Sequence, residues 1–549
     1  MICILHGYLL EGSGSNLWTR SIIQALCRNG RTVHLVCQEN HPERYEFISR
    51  AILYRPNRTE EILPEREVPY PGQCILHKPQ LGDTLPVYVW DRYEEFNRVV
   101  PMVELDDTTV EEYLETNVKV IREVVKRNGI KAIHSNHAVL ISAAAQRVAK
   151  ELGIPLAVMP HGSDIVYAVQ KDKRFFDYTQ QAFKTAGKIF VIGPEMRSRL
   201  RTLFPENPDI TGKLTDLNLA ADTSLFNPIP PDKREENMSR LLARVKGVSG
   251  GKRRSQTRAL LESITDDLEL ESLKKSMNQC SDYTAKLPDE NLAEKCRSLN
   301  WTNKKIVLFV GRLIANKGPQ TLVAALPSIL TKQPDARVIV VGHGPLRETL
   351  EMFLFALEKG YTRLAQNMVR WGYALEGESR KPWESVAAYW DNLNAHHRLD
   401  EYFQSARQVS LTDRVIFTGY LTHEELRYLF PCGDVALFPS AVAEAGPLVF
   451  LEALASGCFP MGPYFGGMEA SIDSLKEGMA PEDWELLRLS ADKSKVVADI
   501  VKNVPEALIL GSQYKDMFRD IAVKKYDWKP VAERFFNTLV EMGDQPATV

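Results

Sequence analysis

A chain of 549 residues is too long for one hydrophobic core, so two or more domains are expected. Its 44% hydrophobic and 25% charged content is that of a globular protein, and a net charge of −3 gives no general electrostatic drive toward nucleic acid or an anionic membrane. The 8 cysteines are scattered with no CxxC pair, which argues against a disulfide frame or a zinc site. Reduced thiols, a first strand that leaves no room for a leader after Met1, and no apolar run of about 18 residues predict a cytoplasmic protein. Peripheral membrane contact stays open.

Ile2 to Leu5 is a short apolar run of the kind found in a buried parallel strand. HGYLLEGSGSN follows, then a helix over Leu17–Cys27 and a strand over Thr32–Cys37. Gly12 and Gly14 in this loop let backbone approach a phosphate closely, or simply form a turn. Residues 39–100, with Pro69, Pro71 and Pro79, read as long loops and an edge region. Val110–Arg127 has helical spacing, with acids early and Lys126 and Arg127 late, as the helix dipole prefers. A strand at Ala132–Ser135, a helix at Ala138–Leu152 and a strand at Pro155–Met159 lead into His161, Gly162, Ser163 and Asp164. The C-terminal end of a strand is where open α/β sheets place ligands. The same residues also suit a capped helix start. Ala186–Ile192 is the next strand and Glu195–Leu203 the next helix.

Residues 229–302 read as a charged insertion, opened by Pro228, Pro230 and Pro231, with a solvated basic loop over Gly250–Arg258. No aromatic residues interleave with that loop, which argues against nucleic-acid binding. Lys305–Val310 is a clear strand. Arg312 and Lys317 lie on the loop after it, before a helix from about Pro319; two cations beside a helix start suit a diphosphate, or a solvated turn. Ala336–Val341 is a strand. Residues 347–410 carry many aromatics and read as a helical insertion packed on itself, with an acceptor site or a membrane face as alternatives. Val415–Thr418 is a strand ending in Gly419, Tyr420 and Leu421. Val435–Phe438 is another, leading to EAGPLVFLEALASG over Glu444–Gly457. Pro447 suits the first position of that helix, and Gly457 suits its end. Glu444 then sits at the mouth of the helix start and Glu452 more than a turn inside.

The phrase FPSAVAEAGPLVFLEALASGCFPMG resembles the signature of the retaining glycosyltransferases of family four, the glycogen synthase-like glycosyl transferases of group one, which have the GT-B fold. GRLIANKG is similar to that family's G-R-x4-K-G, and Gly466, Gly467 and Glu469 to its glycine-rich turn and following acid. LTDLNLAADTSLFNP matches the family's interdomain passage only at Asp222 and Phe226. Ala445, Gly446 and Pro447 depart from the aromatic and glycine often found after the first glutamate, and Pro447 has no N–H for a phosphate.

The resemblance implies two Rossmann-like domains facing a cleft, with helical insertions in the second half. It implies an acceptor-side domain over residues 1–215, a linker and insertion over 216–302, a nucleotide-sugar domain over 303–525, and a C-terminal helix over 526–549 returning to the first domain. It assigns the donor diphosphate to Arg312, Lys317, Gly446 and Leu448, and the ribose to Glu452. It gives the base to the backbone at Gly419 and Tyr420, and the transferred sugar to His161, with Asp164 in support. The Gly12 and Gly14 loop falls to donor and acceptor, and Glu444 to the reacting end. The implied activity is retaining hexosyl transfer from a UDP- or GDP-type nucleotide-diphosphate sugar to a hydroxyl of a sugar, glycan, lipid-linked or small molecule. With no D-x-D triplet, no obligatory divalent metal is expected, and no cofactor beyond the donor. A nucleotide-sugar epimerase and a non-catalytic or partner-dependent scaffold are the alternatives. A glycan phosphorylase would need a lysine holding pyridoxal phosphate, and no resembling site is present.

Overall fold

The computed structural model describes residues 1–544 except Gly12, Asn57, Arg58, residues 89–95, Glu206, Ala445, Pro447 and Gly511. The readings placed on Gly12, Ala445 and Pro447 therefore lie outside the described residues. The chain forms two compact units, Met1–Ala220 with the chain from Lys525, and Ala221–Lys524.

The first unit is built on a sheet of nine described strands, in the order Leu214–Asp216, Lys188–Val191, Leu156–Met159, Ala132–Asn136, Ile2–His6, Thr32–Val36, Gln73–Pro79, Ile48–Tyr54 and Glu60–Glu65. All neighbours are parallel except the last pair. Parallel strands are buried on both faces, and Ile2–His6 is buried throughout. Its side chains alternate between two cores. Cys3 and Leu5 join one, with Ile133 and Val158. Ile2 and Ile4 join the other, with Ala157 and Phe190. The C-terminal helix Trp528–Asp544 completes the second core, setting Val531, Ala532, Phe535 and Leu539 against the helix Gly14–Arg28.

The stretch 39–100 is more regular than its prolines suggested. Ile48–Tyr54 and Gln73–Pro79 are inner strands of the large sheet and Glu60–Glu65 is its edge, while Thr84–Val87 pairs with Arg98–Pro101 in a separate two-stranded sheet. Pro69 and Pro71 fall in the connection, and Pro79 closes a strand, so no ladder hydrogen bond is lost inside it.

The second unit carries a parallel sheet in the order Val415–Gly419, Ala336–Val341, Lys305–Val310, Val435–Leu437, Phe459–Pro463 and Arg488–Leu489. The charged insertion packs as short helices, beginning with Arg234–Arg244, whose Arg234 pairs with Asp434 at 2.7 Å. In the basic run Gly250–Arg258, Arg253, Arg254 and Arg258 are exposed as expected, but the run enters a helix at Arg254 and Lys252 corrects the expectation of a solvated loop. Lys252 is 1% exposed, and its ammonium bonds Glu348 at 2.8 Å and Glu351 at 2.6 Å. The reason is long-range: two carboxylates of the helix Arg347–Lys359 draw it in, almost a hundred residues away in sequence.

The aromatic insertion forms the helices Thr362–Trp371, Glu384–Ala395 and Leu399–Gln408. Phe353, Trp383, Trp390 and Phe403 pack with centroids 5.4–6.0 Å apart. Tyr402 donates to Ala324 O on the helix Pro319–Lys332 at 2.9 Å. No described helix is long and apolar enough to cross a membrane.

Candidate active site

In an open α/β sheet, ligands collect outside the carboxyl ends of the strands, where the strand order reverses. In the second unit that point lies between Lys305–Val310 and Val435–Leu437. The loop after the first carries Arg312 and Lys317; the chain after the second carries Glu444. The structure brings them together, with Lys317 Nζ 2.5 Å from Glu444 Oε2 and both side chains partly exposed. Arg312 is exposed on the same loop. Pro319 opens the helix Pro319–Lys332 directly after it. Gly318 has φ 77°, and a Cβ there would meet Pro439 O at 2.0 Å, so only glycine lets this loop lie against the neighbouring strand's continuation.

Glu452 is buried on the helix Leu448–Ala455. Its Oε1 meets His423 Nδ1 at 2.5 Å, while Oε2 has no partner among the described residues. A buried, unpartnered carboxylate oxygen is costly unless a donor reaches it. Leu448 is the first residue of that helix, and Gly446 lies just before it. Gly467 N–H donates to Glu444 O at 2.7 Å, so the glycine turn braces the Glu444 backbone.

Gly419 and Tyr420 end the strand Val415–Gly419, but their backbone is less open than expected. Tyr420 N–H donates to Leu287 O at 3.0 Å, and Gly419 O accepts from Gly342 N at 2.9 Å. The charged insertion thus covers part of the backbone that the sequence assigned to the base. His343, whose ring lies 5.3 Å from that of Tyr420, is held below the usual imidazole range by burial and by Arg312.

In the first unit the strand order reverses between Ile2–His6 and Ala132–Asn136. His6 Nε2 donates to Leu9 O at 3.1 Å and Asn16 Oδ1 at 3.0 Å, and its Nδ1 accepts from Asn136 Nδ2 at 3.0 Å. Asn136 Oδ1 then accepts from His161 Nε2, which leaves His161 Nδ1 as the basic atom. His161 is partly exposed, with its ring 5.0 Å from His137 and 5.8 Å from Trp18. Desolvation, with His6 adding to it, pushes its pKa down to about 3, so the ring is neutral at pH 7.

Asp164, expected to support His161, does so through the backbone. It is fully buried, and its carboxylate accepts from the amides of Ala138, His161, Gly162 and Ile165 at 2.7–3.2 Å. It shapes the His161 loop. Gly14 begins the helix Gly14–Arg28, capped by Ser13, and a Cβ there would meet nothing within 4 Å, so packing does not require glycine at that position.

Asn136, His6 and His423 were missed in the sequence. The density of polar residues in HSNH at a strand's end could have pointed to the first; His423 stood unassigned inside the phrase GYLTHEEL.

Two family models match the chain, the Glycosyl transferase 4-like domain over residues 13–211 and Glycosyl transferases group 1 over residues 293–360 and 395–483. Between them they match well over half of it. Maize granule-bound starch synthase 1 is 24% identical over 247 residues, 44% of this chain and 31% of that protein. The GDP-mannose-dependent alpha-(1-6)-phosphatidylinositol monomannoside mannosyltransferase of Mycobacterium tuberculosis is 23% identical over 247 residues, 44% of this chain and 48% of that one. The aligned region thus spans less than half the length of either relative. Among solved structures, sucrose-phosphate synthase from Thermosynechococcus elongatus superposes with a TM-score of 0.53 at 15% identity, covering 98% of both chains. The catalytic domain of starch synthase IV from Arabidopsis thaliana, bound to ADP and acarbose, gives 0.52 at 10% identity over 99% of both. The Anabaena protein HepE in complex with UDP gives 0.51 at 13% identity, over 98% of this chain and 100% of that one. Motif, sheet topology and family match agree: the chain belongs to the group 1 glycosyltransferases of the GT-B fold.

Proposed function

We propose that the chain is a retaining hexosyltransferase that moves a hexosyl group from a UDP- or GDP-type nucleotide-diphosphate sugar to a hydroxyl acceptor. The observation that carries this reading is the switch point of the second unit, where Arg312, Lys317, a helix start and Glu444 converge. A diphosphate needs cations, and Arg312 and Lys317 supply them. The unpartnered Glu452 Oε2 supplies the buried acceptor that a ribose hydroxyl needs. The relatives support a nucleotide donor, since HepE was solved with UDP, starch synthase IV with ADP and acarbose, and the mycobacterial protein is GDP-mannose-dependent.

On this reading Arg312 and Lys317 stabilise the charge that develops on the diphosphate as its bond to the sugar breaks. A diphosphate at this loop competes with Glu444 for Lys317. Glu444 is then free to accept a hydrogen bond from the sugar. The acceptor hydroxyl attacks on the face from which the diphosphate leaves, and its proton passes to a diphosphate oxygen. The catalysis is positioning and electrostatic stabilisation. His161, neutral, serves as a hydrogen-bonding group toward the transferred sugar. Two cations meet the diphosphate charge without a divalent metal.

The test is a thermal-shift and donor-hydrolysis panel over UDP-, GDP- and ADP-sugars, with and without EDTA, on wild type and Lys317→Ala. One donor class is expected to raise the melting temperature, with nucleotide release insensitive to EDTA. Lys317→Ala is expected to lose the shift and to lower turnover by about 10²–10³-fold, the effect of losing one donor to a developing oxyanion. No shift with any nucleotide would sink the donor site.

A further inference from the structure

The aromatic insertion reaches the proposed donor loop. Gly372 adopts φ 49° and ψ −115°, and its segment closes on Lys381, with Tyr373 N–H donating to Lys381 O at 2.8 Å. This folds Tyr373–Glu376 into a short turn. The Glu376 carboxylate accepts from Ala315 N at 3.0 and 3.3 Å, and Tyr373 OH donates to Asn316 Oδ1 at 3.1 Å. Ala315 and Asn316 lie between Arg312 and Lys317, in the turn Ala315–Lys317. On its other side the loop is held by the neighbouring strand's continuation. Asn316 O accepts from Ala441 N at 2.8 Å and Ser440 Oγ at 3.2 Å. Gln320 Nε2 donates to Ala315 O at 2.9 Å. The loop is thus pinned from two sides, and one of them is the insertion.

Tyr373 and Glu376 fall in residues 361–394, which the group 1 family model leaves unmatched. The clamp therefore lies outside the part of the chain that the family model matches. Glu376 is partly buried; burial, with Glu378 adding to it, holds its carboxyl above the usual range, against the pull of the Ala315 amide and Arg312.

We propose that Tyr373 and Glu376 are positioning residues that fix the Arg312–Lys317 loop for the donor's diphosphate. The inference rests on the donor-site reading above. Each holds a loop residue between the two cations and touches no reacting atom. Misplacing a positioned cation by about 1 Å loosens its hold on a phosphate, because charge-assisted hydrogen bonds are short and directional. The nucleoside end of the donor, assigned to Glu452 and the Gly419 backbone, does not depend on this loop.

The experiment measures binding of UDP and UMP, and of GDP and GMP, to the full chain by titration calorimetry. Wild type is compared with Tyr373→Phe/Glu376→Ala, Glu376→Gln and Lys317→Ala. The double variant is expected to weaken the diphosphate by about tenfold or more and to leave the monophosphate of the same base within about twofold. Glu376→Gln, which keeps an oxygen for the Ala315 amide, is expected to stay within about threefold of wild type. Unchanged diphosphate affinity in the double variant, with Lys317→Ala still weakening it, would overturn the positioning role. Equal losses for diphosphate and monophosphate would overturn it too, since they mark a general fold defect. If Lys317→Ala itself leaves diphosphate binding unaltered, the donor reading fails and takes this inference with it.

Discussion

Replacing Lys252 by methionine is expected to destabilise the Ala221–Lys524 unit by about 3–5 kcal/mol, the cost of breaking a buried ion pair from one side. Lys252 lies between Glu348 and Glu351, and all three are at least 94% buried. Arg347 bonds Glu351 at 2.9 Å and forks onto Asp289 at 2.8 and 3.1 Å; Lys295 adds 2.6 Å to Asp289. Three cations therefore face three carboxylates. Burial pushes the Glu351 carboxyl up, but Arg347 and Lys252 outweigh it and hold it down at about 2. Removing Lys252 leaves one carboxylate without a counter-charge in a dry site. The measurement is the urea midpoint of this unit. Adding Glu348→Gln to Lys252→Met restores neutrality and still accepts from Tyr283 OH, now 2.9 Å from Glu348 Oε1. That second change is expected to recover more than half of the loss. A single-variant loss below about 1 kcal/mol would mean that water reaches these charges, and that the insertion is not locked by them.

The first unit is expected to unfold on mild acidification, between about pH 6 and pH 5. His6, His34, His77, His134 and His137 are all buried. Burial is the main cause that lowers each, to about 4 for His6 and His34, about 3 for His77 and His134, and well below the ordinary value for His137. The unfolded chain takes up protons near pH 6.5, where the folded chain does not. Stability is thus fully present above that pH. It falls as the pH drops toward the folded values, by about 1.4 kcal/mol per pH unit for each such histidine. Three acting in full would remove about 4 kcal/mol per unit, comparable to much of a domain's stability. Circular-dichroism melts from pH 7.5 to pH 4.5 read this directly, and a melting temperature constant between pH 7 and pH 5 would refute it. His134 gives the sharper check. Neither ring nitrogen has a partner among the described residues, and the ring packs edge-on to Phe535 at 4.8 Å. His134→Phe removes two desolvated polar atoms at nearly constant shape. It is expected to stabilise the unit by about 1 kcal/mol at pH 7, and by more at pH 5.

Local pattern made most of the elements legible. Ile2–His6, Lys305–Val310 and Ala336–Val341 are built on apolar runs (Ile2 to Leu5, Ile306 to Val310 and Val338 to Val341), because a two-sided parallel strand needs apolar residues on both faces. The helix Asp107–Asn128 carries its stop signal in Gly129, which adopts φ 57°. The strands within 39–100 were not legible. Their inner position depends on neighbours contributed from elsewhere in the chain, and their prolines obscured the alternation.

By itself the sequence determined the family and the parallel α/β architecture, and it singled out Arg312, Lys317, Glu444 and Glu452 as candidates, because motif residues sit at fixed offsets from strand ends and helix starts. Only the tertiary structure decided which of these charges meet. Lys317 and Glu444 are 127 residues apart, and they pair because their two strands are neighbours at the point where strand order reverses. The same holds for two other residues. Asp164 braces the His161 loop because four amides converge on it, and Lys252 is buried because two distant glutamates face it. Glu376 gained a place beside the proposed donor loop only because its insertion folds back onto Ala315. Composition and spacing carry local preferences. Whether a charge is exposed, paired or poised depends on which distant groups surround it, and that is set when the chain closes on itself.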